Sequence, residues 1–204
     1  MNEPQRKQTA GVSREPPAAS PRAAASFVVA LLNRYVGVGD LLVDVGCGPG
    51  LYRHVTPARF IGIDYTDATY YPDWPRSVDI VAEGSALGLK DSCADLVMSK
   101  SAFFQFPDPE GALAEFHRVL KPGGRILLFD YNRRTQKRLE RVEVARRPCW
   151  TQWRLRVLVA RAGFQQTELL LPTARRVARP LRLPFLVVQE LIGSWAIVTG
   201  VKAK

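Results

Sequence analysis

A chain of 204 residues, 47% of them hydrophobic, has room for one domain with a full core and leaves a second domain unexpected. No apolar run is long enough to cross a bilayer, so a soluble protein is expected. The three cysteines, Cys47, Cys93 and Cys149, lack metal-ligand spacing and read as free thiols in a reducing cytoplasm. The formal charge of +10 is large for this length, and its distribution decides what it means.

Residues 1–22 are rich in proline and alanine and carry scattered charge without periodicity, so a disordered arm is expected there, ahead of a folded region spanning 23–204. No hydrophobic segment follows Arg6 and Lys7, which argues against a secretory signal. A helix is predicted from about Arg22 to Tyr35, with Phe27, Leu31 and Tyr35 on one face and Gly37 and Gly39 ending it. Leu41 to Val45 is a buried strand that carries Asp44 near its end. It turns sharply at Gly46-Cys47-Gly48-Pro49-Gly50, where the glycines permit positive φ and let a ligand approach the backbone. This stretch resembles the class I S-adenosylmethionine-dependent methyltransferases, whose first strand ends in Asp/Glu-x-Gly-x-Gly-x-Gly, and residues 44–50 match at every fixed position. A dinucleotide turn of the Gly-x-Gly-x-x-Gly type would want glycine where Leu51 stands, and Asp44 would repel a pyrophosphate while suiting a cationic amino acid moiety.

The resemblance extends along the chain. Leu51 to Val55 is expected to be a very short helix, and Arg59 to Asp64 the second strand, placing Asp64 beside Asp44 at one edge of a parallel sheet. In the family an acid at that place accepts hydrogen bonds from both ribose hydroxyls, and Tyr65 follows as an adenine-packing candidate or an ordinary surface tyrosine. After the third strand, near Val78 to Ala82, the family's adenine-binding Asp is replaced by Ser85, with Ala86 offering a backbone N–H. The fourth strand, Asp95 to Ser99, adds Ser99 to the cofactor set of Asp44, Gly46, Cys47, Gly48, Gly50, Asp64, Tyr65, Ser85 and Ala86. A helix from Pro109 to Leu120 leads to Lys121-Pro122-Gly123-Gly124, a tight turn typical of the family, and then to a fifth strand, Arg125 to Asp130.

Phe104 and Gln105 stand where many members carry a histidine pair, so no catalytic base is assigned. His117 reads as structural, no metal-ligand acids are evident, and the signatures of base-amine and cytosine-C5 methylation are missing. In-line methyl transfer can draw much of its catalysis from alignment in a dry pocket, so the missing histidine does not argue against activity.

The last third concentrates the charge. About 131–184, the expected substrate side, fourteen basic residues face Glu140, Glu143 and Glu168, a net +11. A helix is predicted from Thr151 to Ala162, a sixth strand from Gln165 to Leu171 and a seventh, antiparallel, from Ser194 to Lys202. Between the two strands, Arg175, Arg176, Arg179 and Arg182 precede an apolar stretch, which fits either an element contacting an anionic membrane or a packed helix with solvated charges.

The resemblance implies an α/β, Rossmann-like methyltransferase fold with a seven-stranded, mostly parallel sheet and an antiparallel last strand. It also implies S-adenosylmethionine as cofactor, S-adenosylhomocysteine as its product, and a cytoplasmic place, at most peripheral at the inner face of a membrane. The acceptor reads as a small molecule or lipid, acidic or presented on a carrier, since the core motifs are those of the small-molecule group called type 11. RNA methylation through arginine–phosphate contacts is the alternative, and an inactive binding protein the third reading.

Overall fold

The computed structural model describes residues 21–66, 78–132, 150–170 and 195–204. Helix α1 is Pro21–Tyr35, followed by β1 Leu41–Val45, β2 Arg59–Asp64, β3 Ile80–Val81 and β4 Ala94–Lys100. Then come α2 Pro109–Val119, β5 Leu120–Tyr131, α3 Gln152–Arg161, β6 Phe164–Leu169 and β7 Trp195–Lys202. The strands form one seven-stranded sheet in the order β3-β2-β1-β4-β5-β7-β6. Strands β1 to β5 pair in parallel, and β7 runs antiparallel between β5 and β6. The chain thus winds outward in both directions from the β1–β4 pair, and a doubly wound sheet of this kind opens a crevice at the carboxyl ends of its central strands.

Side-chain alternation divides the core between the two faces of the sheet. Leu42, Leu96, Met98, Leu127 and Phe129 pack with Val28, Leu31, Leu32 and Val36 of α1 and its end. Val43, Val45, Val97, Ile126 and Leu128 pack on the other face with Leu113 and Phe116 of α2 and Leu155 and Val159 of α3. Helix α1 begins at Pro21, one residue before the predicted start, and proline is well suited to a first helical turn because it has no N–H to leave unpaired. Helices α2 and α3 are capped by side chains: Asp108 accepts from the Gly111 N–H and Thr151 from that of Arg154.

Three local expectations change. Residues 51–55 form turns instead of a short helix; Pro57 close behind disfavours helical backbone at the residue before it and leaves no length for one. The third strand shrinks to two residues, Ile80–Val81, at the edge of the sheet. Lys121 to Gly124 is a bulge inside β5, because Leu120 already pairs with Ala94 before Arg125 resumes opposite Leu96. The expected disordered arm ahead of α1, most of the basic residues of 131–184 and the four arginines between β6 and β7 lie outside the described residues.

Candidate functional site

The carboxyl ends of β1 and β2 are tied together by backbone. The N–H groups of Gly46 and Cys47 both donate to the Ile63 carbonyl, at 2.8 and 3.1 Å, and the turn closes with Gly50 N–H on the Cys47 carbonyl at 2.9 Å. Asp64 completes the link. Its Oδ2 accepts from the Gly48 N–H and its Oδ1 from the Tyr65 N–H, each at 2.9 Å. A carboxylate oxygen accepts more than one bond, so Asp64 keeps acceptor capacity beyond the turn it braces.

The glycines of the turn have different jobs. A Cβ at Gly46 would lie 2.2 Å from the Ala102 Cβ, so this glycine is demanded by the loop packed on it as well as by its φ of +77°. A Cβ at Gly48 would meet nothing within 4 Å. Room beside the backbone, the feature expected of a ligand cradle, therefore belongs to Gly48.

Asp44 sits beneath this turn, 2% exposed, and its Oδ1 is buried with no hydrogen-bond partner among the described residues. Burial pushes the carboxyl up to about 7; Lys100 and Arg53 draw it down while the Asp64 charge raises it further. A buried carboxyl oxygen without a partner costs roughly 1–3 kcal/mol, and an incoming cationic donor would relieve it. Cys47 is a neutral thiol, pushed up to about 12 first by burial and then by the neighbouring carboxylates. Its Sγ donates to the Gly48 carbonyl at 3.7 Å.

The predicted set is only partly brought together. Asp44 and Asp64 share the face on which α1 packs, as the alternation of Leu42 and Phe60 toward that helix requires. Tyr65 is 59% exposed beside them. Ser85 and Ala86 are exposed after β3, and the Ala86 N–H already donates to the Glu83 carbonyl at 3.0 Å. Ser99 is fully buried on the opposite face, in line with Val97, and its hydroxyl has no partner among the described residues. His117 lies at the other end of the sheet, edge-on to Phe164 at 5.1 Å.

One polar residue at this edge was not singled out from the sequence. Asp130 ends the apolar part of β5, is 0% exposed, and leaves Oδ2 without a partner among the described residues. The signal was present: Leu41-Leu42-Val43-Asp44, Phe60-Ile61-Gly62-Ile63-Asp64 and Ile126-Leu127-Leu128-Phe129-Asp130 are all apolar runs closing on aspartate. Beyond it, Tyr131 stacks on Trp195 at 4.7 Å between centroids, Phe104 meets Tyr131 edge-on, and the Lys100 ammonium lies 5.1 Å from the Trp195 centroid. Among the described residues no cluster of His, Cys, Asp or Glu could hold a metal ion, and no helix is long and apolar enough to cross a membrane.

Comparison with known proteins bears on the same region. A family model described as a methyltransferase domain matches residues 43–128. A probable methyltransferase, ltbC, of Aspergillus luteorubrus is 32% identical over 124 residues, 50% of this chain and 43% of that protein. A malonyl-[acyl-carrier protein] O-methyltransferase of Coxiella burnetii is 37% identical over 93 residues, 43% of this chain and 32% of its own length. The chain thus spans less than half the length of either. Among solved structures, a possible histamine N-methyltransferase from Thermotoga maritima superimposes with a TM-score of 0.65 over 89% of this chain and 90% of that one, at 20% identity, which shows a shared fold.

Proposed function

As the chain belongs to the class I S-adenosylmethionine-dependent methyltransferases, we propose that it transfers a methyl group to a small-molecule or lipid-linked acceptor by in-line displacement. Bound S-adenosylmethionine supplies a methyl group made electrophilic by the sulfonium that carries it. The observation that carries the proposal is the bare, buried Oδ1 of Asp44 beneath a turn where Gly48 leaves room, with Asp64 on the same face. That donor set fits the cofactor: an acidic group for an ammonium, free backbone surface, and a second carboxylate with spare lone pairs for a diol.

In this reading Asp44 takes the amino group of the methionine moiety and Asp64 the ribose hydroxyls, while Tyr65 packs on the adenine and the backbone around Ser85 and Ala86 borders it. Cys47, being a neutral thiol, lines the turn without competing as a nucleophile. Gly46 and Gly50 shape the turn, and Ser99 serves through its backbone at the end of β4, since its hydroxyl faces the other side of the sheet. The protein's contribution is to align the acceptor with the methyl group and exclude water.

Purified protein should bind S-adenosylhomocysteine in a calorimetric titration and transfer labelled methyl from S-adenosylmethionine to the organic-soluble or small-molecule fraction of a cell extract. Absence of both would overturn the proposal. The net +11 of residues 131–184 supports a second reading, RNA as acceptor. Label would then appear in an RNase-sensitive precipitate, and affinity would fall steeply with salt.

A further inference from the structure

The strand-terminal acids Asp44 and Asp64 are absorbed by the cofactor. Asp130 is not, and its surroundings give it a second purpose. The Tyr131 N–H donates to Oδ1 at 2.9 Å, and the backbone of Phe104, in the turn after β4, lies close enough to draw the carboxyl's pKa down. That bond to Tyr131 leaves Oδ2 bare, and an asparagine would accept it equally well. Among the described residues no arginine or lysine partners the carboxyl, although the chain carries 29 such residues.

A buried carboxyl kept without a counter-charge at the ligand edge of the sheet calls for an external partner. Its place suits the acceptor side. Asp44 is level with Met98, and Met98 with Leu127, so Asp130 lies two strands across and three residues further along, about 14 Å from Asp44 within the plane of the sheet by ideal strand spacing, with its side chain on the opposite face. Ser99, whose buried hydroxyl also has no partner among the described residues, faces the same side one row below. Beside the carboxyl lies the backbone of Phe104, while the Tyr131–Trp195 stack at the same strand end is on the other face of the sheet.

Resting on the methyltransferase reading above, we propose that Asp130 Oδ2 holds an N–H or O–H group of the acceptor, so that the acceptor is an amine or a hydroxyl compound and the methyl group goes to its nitrogen or oxygen. The acceptor's lone pair forms the new bond to the methyl carbon as the carbon–sulfur bond breaks, its electron pair remaining on sulfur. The proton displaced from the acceptor passes to the Asp130 carboxylate. Burial holds this carboxyl well above the usual carboxylate range, which makes it a readier proton acceptor than a surface aspartate.

The test compares wild type with Asp130→Asn and Asp130→Glu. Asparagine keeps an oxygen for the Tyr131 N–H and removes the basic one. The expected result is S-adenosylhomocysteine affinity within about twofold of wild type, methyl transfer to the extract acceptor lowered by about 100-fold or more, and partial recovery with glutamate. The labelled product should carry its methyl on nitrogen or oxygen by mass spectrometry. Transfer by Asp130→Asn within about threefold of wild type, or methyl found on carbon, overturns the proposal. A second arm needs no natural acceptor: benzylamine and benzyl alcohol are titrated into the protein with and without S-adenosylhomocysteine and followed by ligand-observed nuclear magnetic resonance. At least one should bind wild type and lose binding in Asp130→Asn; equal behaviour of the two proteins overturns it. Failure of the methyltransferase reading shows separately, as wild type that does not bind S-adenosylhomocysteine.

Discussion

The two halves of the ligand edge are built on opposite principles. Around β1 and β2 the site is made of backbone: the N–H groups of Gly46, Cys47, Gly48, Gly50 and Tyr65 interlock with the Ile63 and Cys47 carbonyls and the Asp64 carboxylate. Around β5 and β7 it is made of side chains that meet across large sequence separations, Tyr131 on Trp195 and Lys100 over the same ring. A site of local backbone bonds gives one ligand geometry and tolerates few substitutions. Packed side chains can be exchanged without unmaking the fold, so this half is free to define an acceptor.

Substitutions should separate the halves. Gly46→Val places carbon where the Ala102 side chain already is, in a left-handed backbone, and should lower unfolding free energy by on the order of 3 kcal/mol in a denaturant titration. A stability unchanged by that substitution would mean the loop after β4 does not press on the turn. Asp64→Ala removes charge-assisted bonds and should weaken S-adenosylhomocysteine by roughly 1.5–3 kcal/mol, with acceptor KM little altered. Unchanged binding would remove the ribose role.

Asp44 couples the β1–β2 half to pH. Its ordinary value of 3.8 rises to about 7 on folding, so between these values the folded state holds a proton that the unfolded state has released. Stability from this group is therefore lost as pH rises through that window. Asp44→Asn should stabilise the protein by about 2 kcal/mol near pH 8 and by almost nothing below the ordinary carboxylate range, measured by denaturant unfolding. In wild type, S-adenosylhomocysteine affinity should fall by about tenfold per unit as pH drops below about 7, since the ammonium needs the ionised carboxylate. A flat profile would detach Asp44 from the ligand. The smallest effect belongs to the basic stretch: replacing Arg175, Arg176, Arg179 and Arg182 together should leave cofactor affinity within about twofold while abolishing sedimentation with anionic liposomes. Altered cofactor affinity would merge the two halves, and unchanged sedimentation would remove the membrane contact.

The glycine turn and the acid closing the second strand were legible because each rests on residues close in sequence, and the seven-stranded, mostly parallel order followed from the family resemblance those residues carry. An apolar run of strand length, an acid and a glycine turn state their geometry in a few adjacent positions. The division of labour within that turn was not legible. Gly46 and Gly48 are the same residue two positions apart, and only the approach of Ala102, more than fifty residues away, makes one a packing site and leaves the other open. Ser99 was assigned from its place at a strand end, but the alternation set by Val97 and Met98 turns it to the face opposite Asp44. Asp130 was overlooked although its strand repeats the pattern of the first two, because a carboxylate at a strand end is ordinarily solvated. Burial with one oxygen bare is a property of what packs around it. Local covalent geometry therefore determined the glycine-turn half of this edge, and long-range packing decided the face, the burial and the unsatisfied atoms of the other.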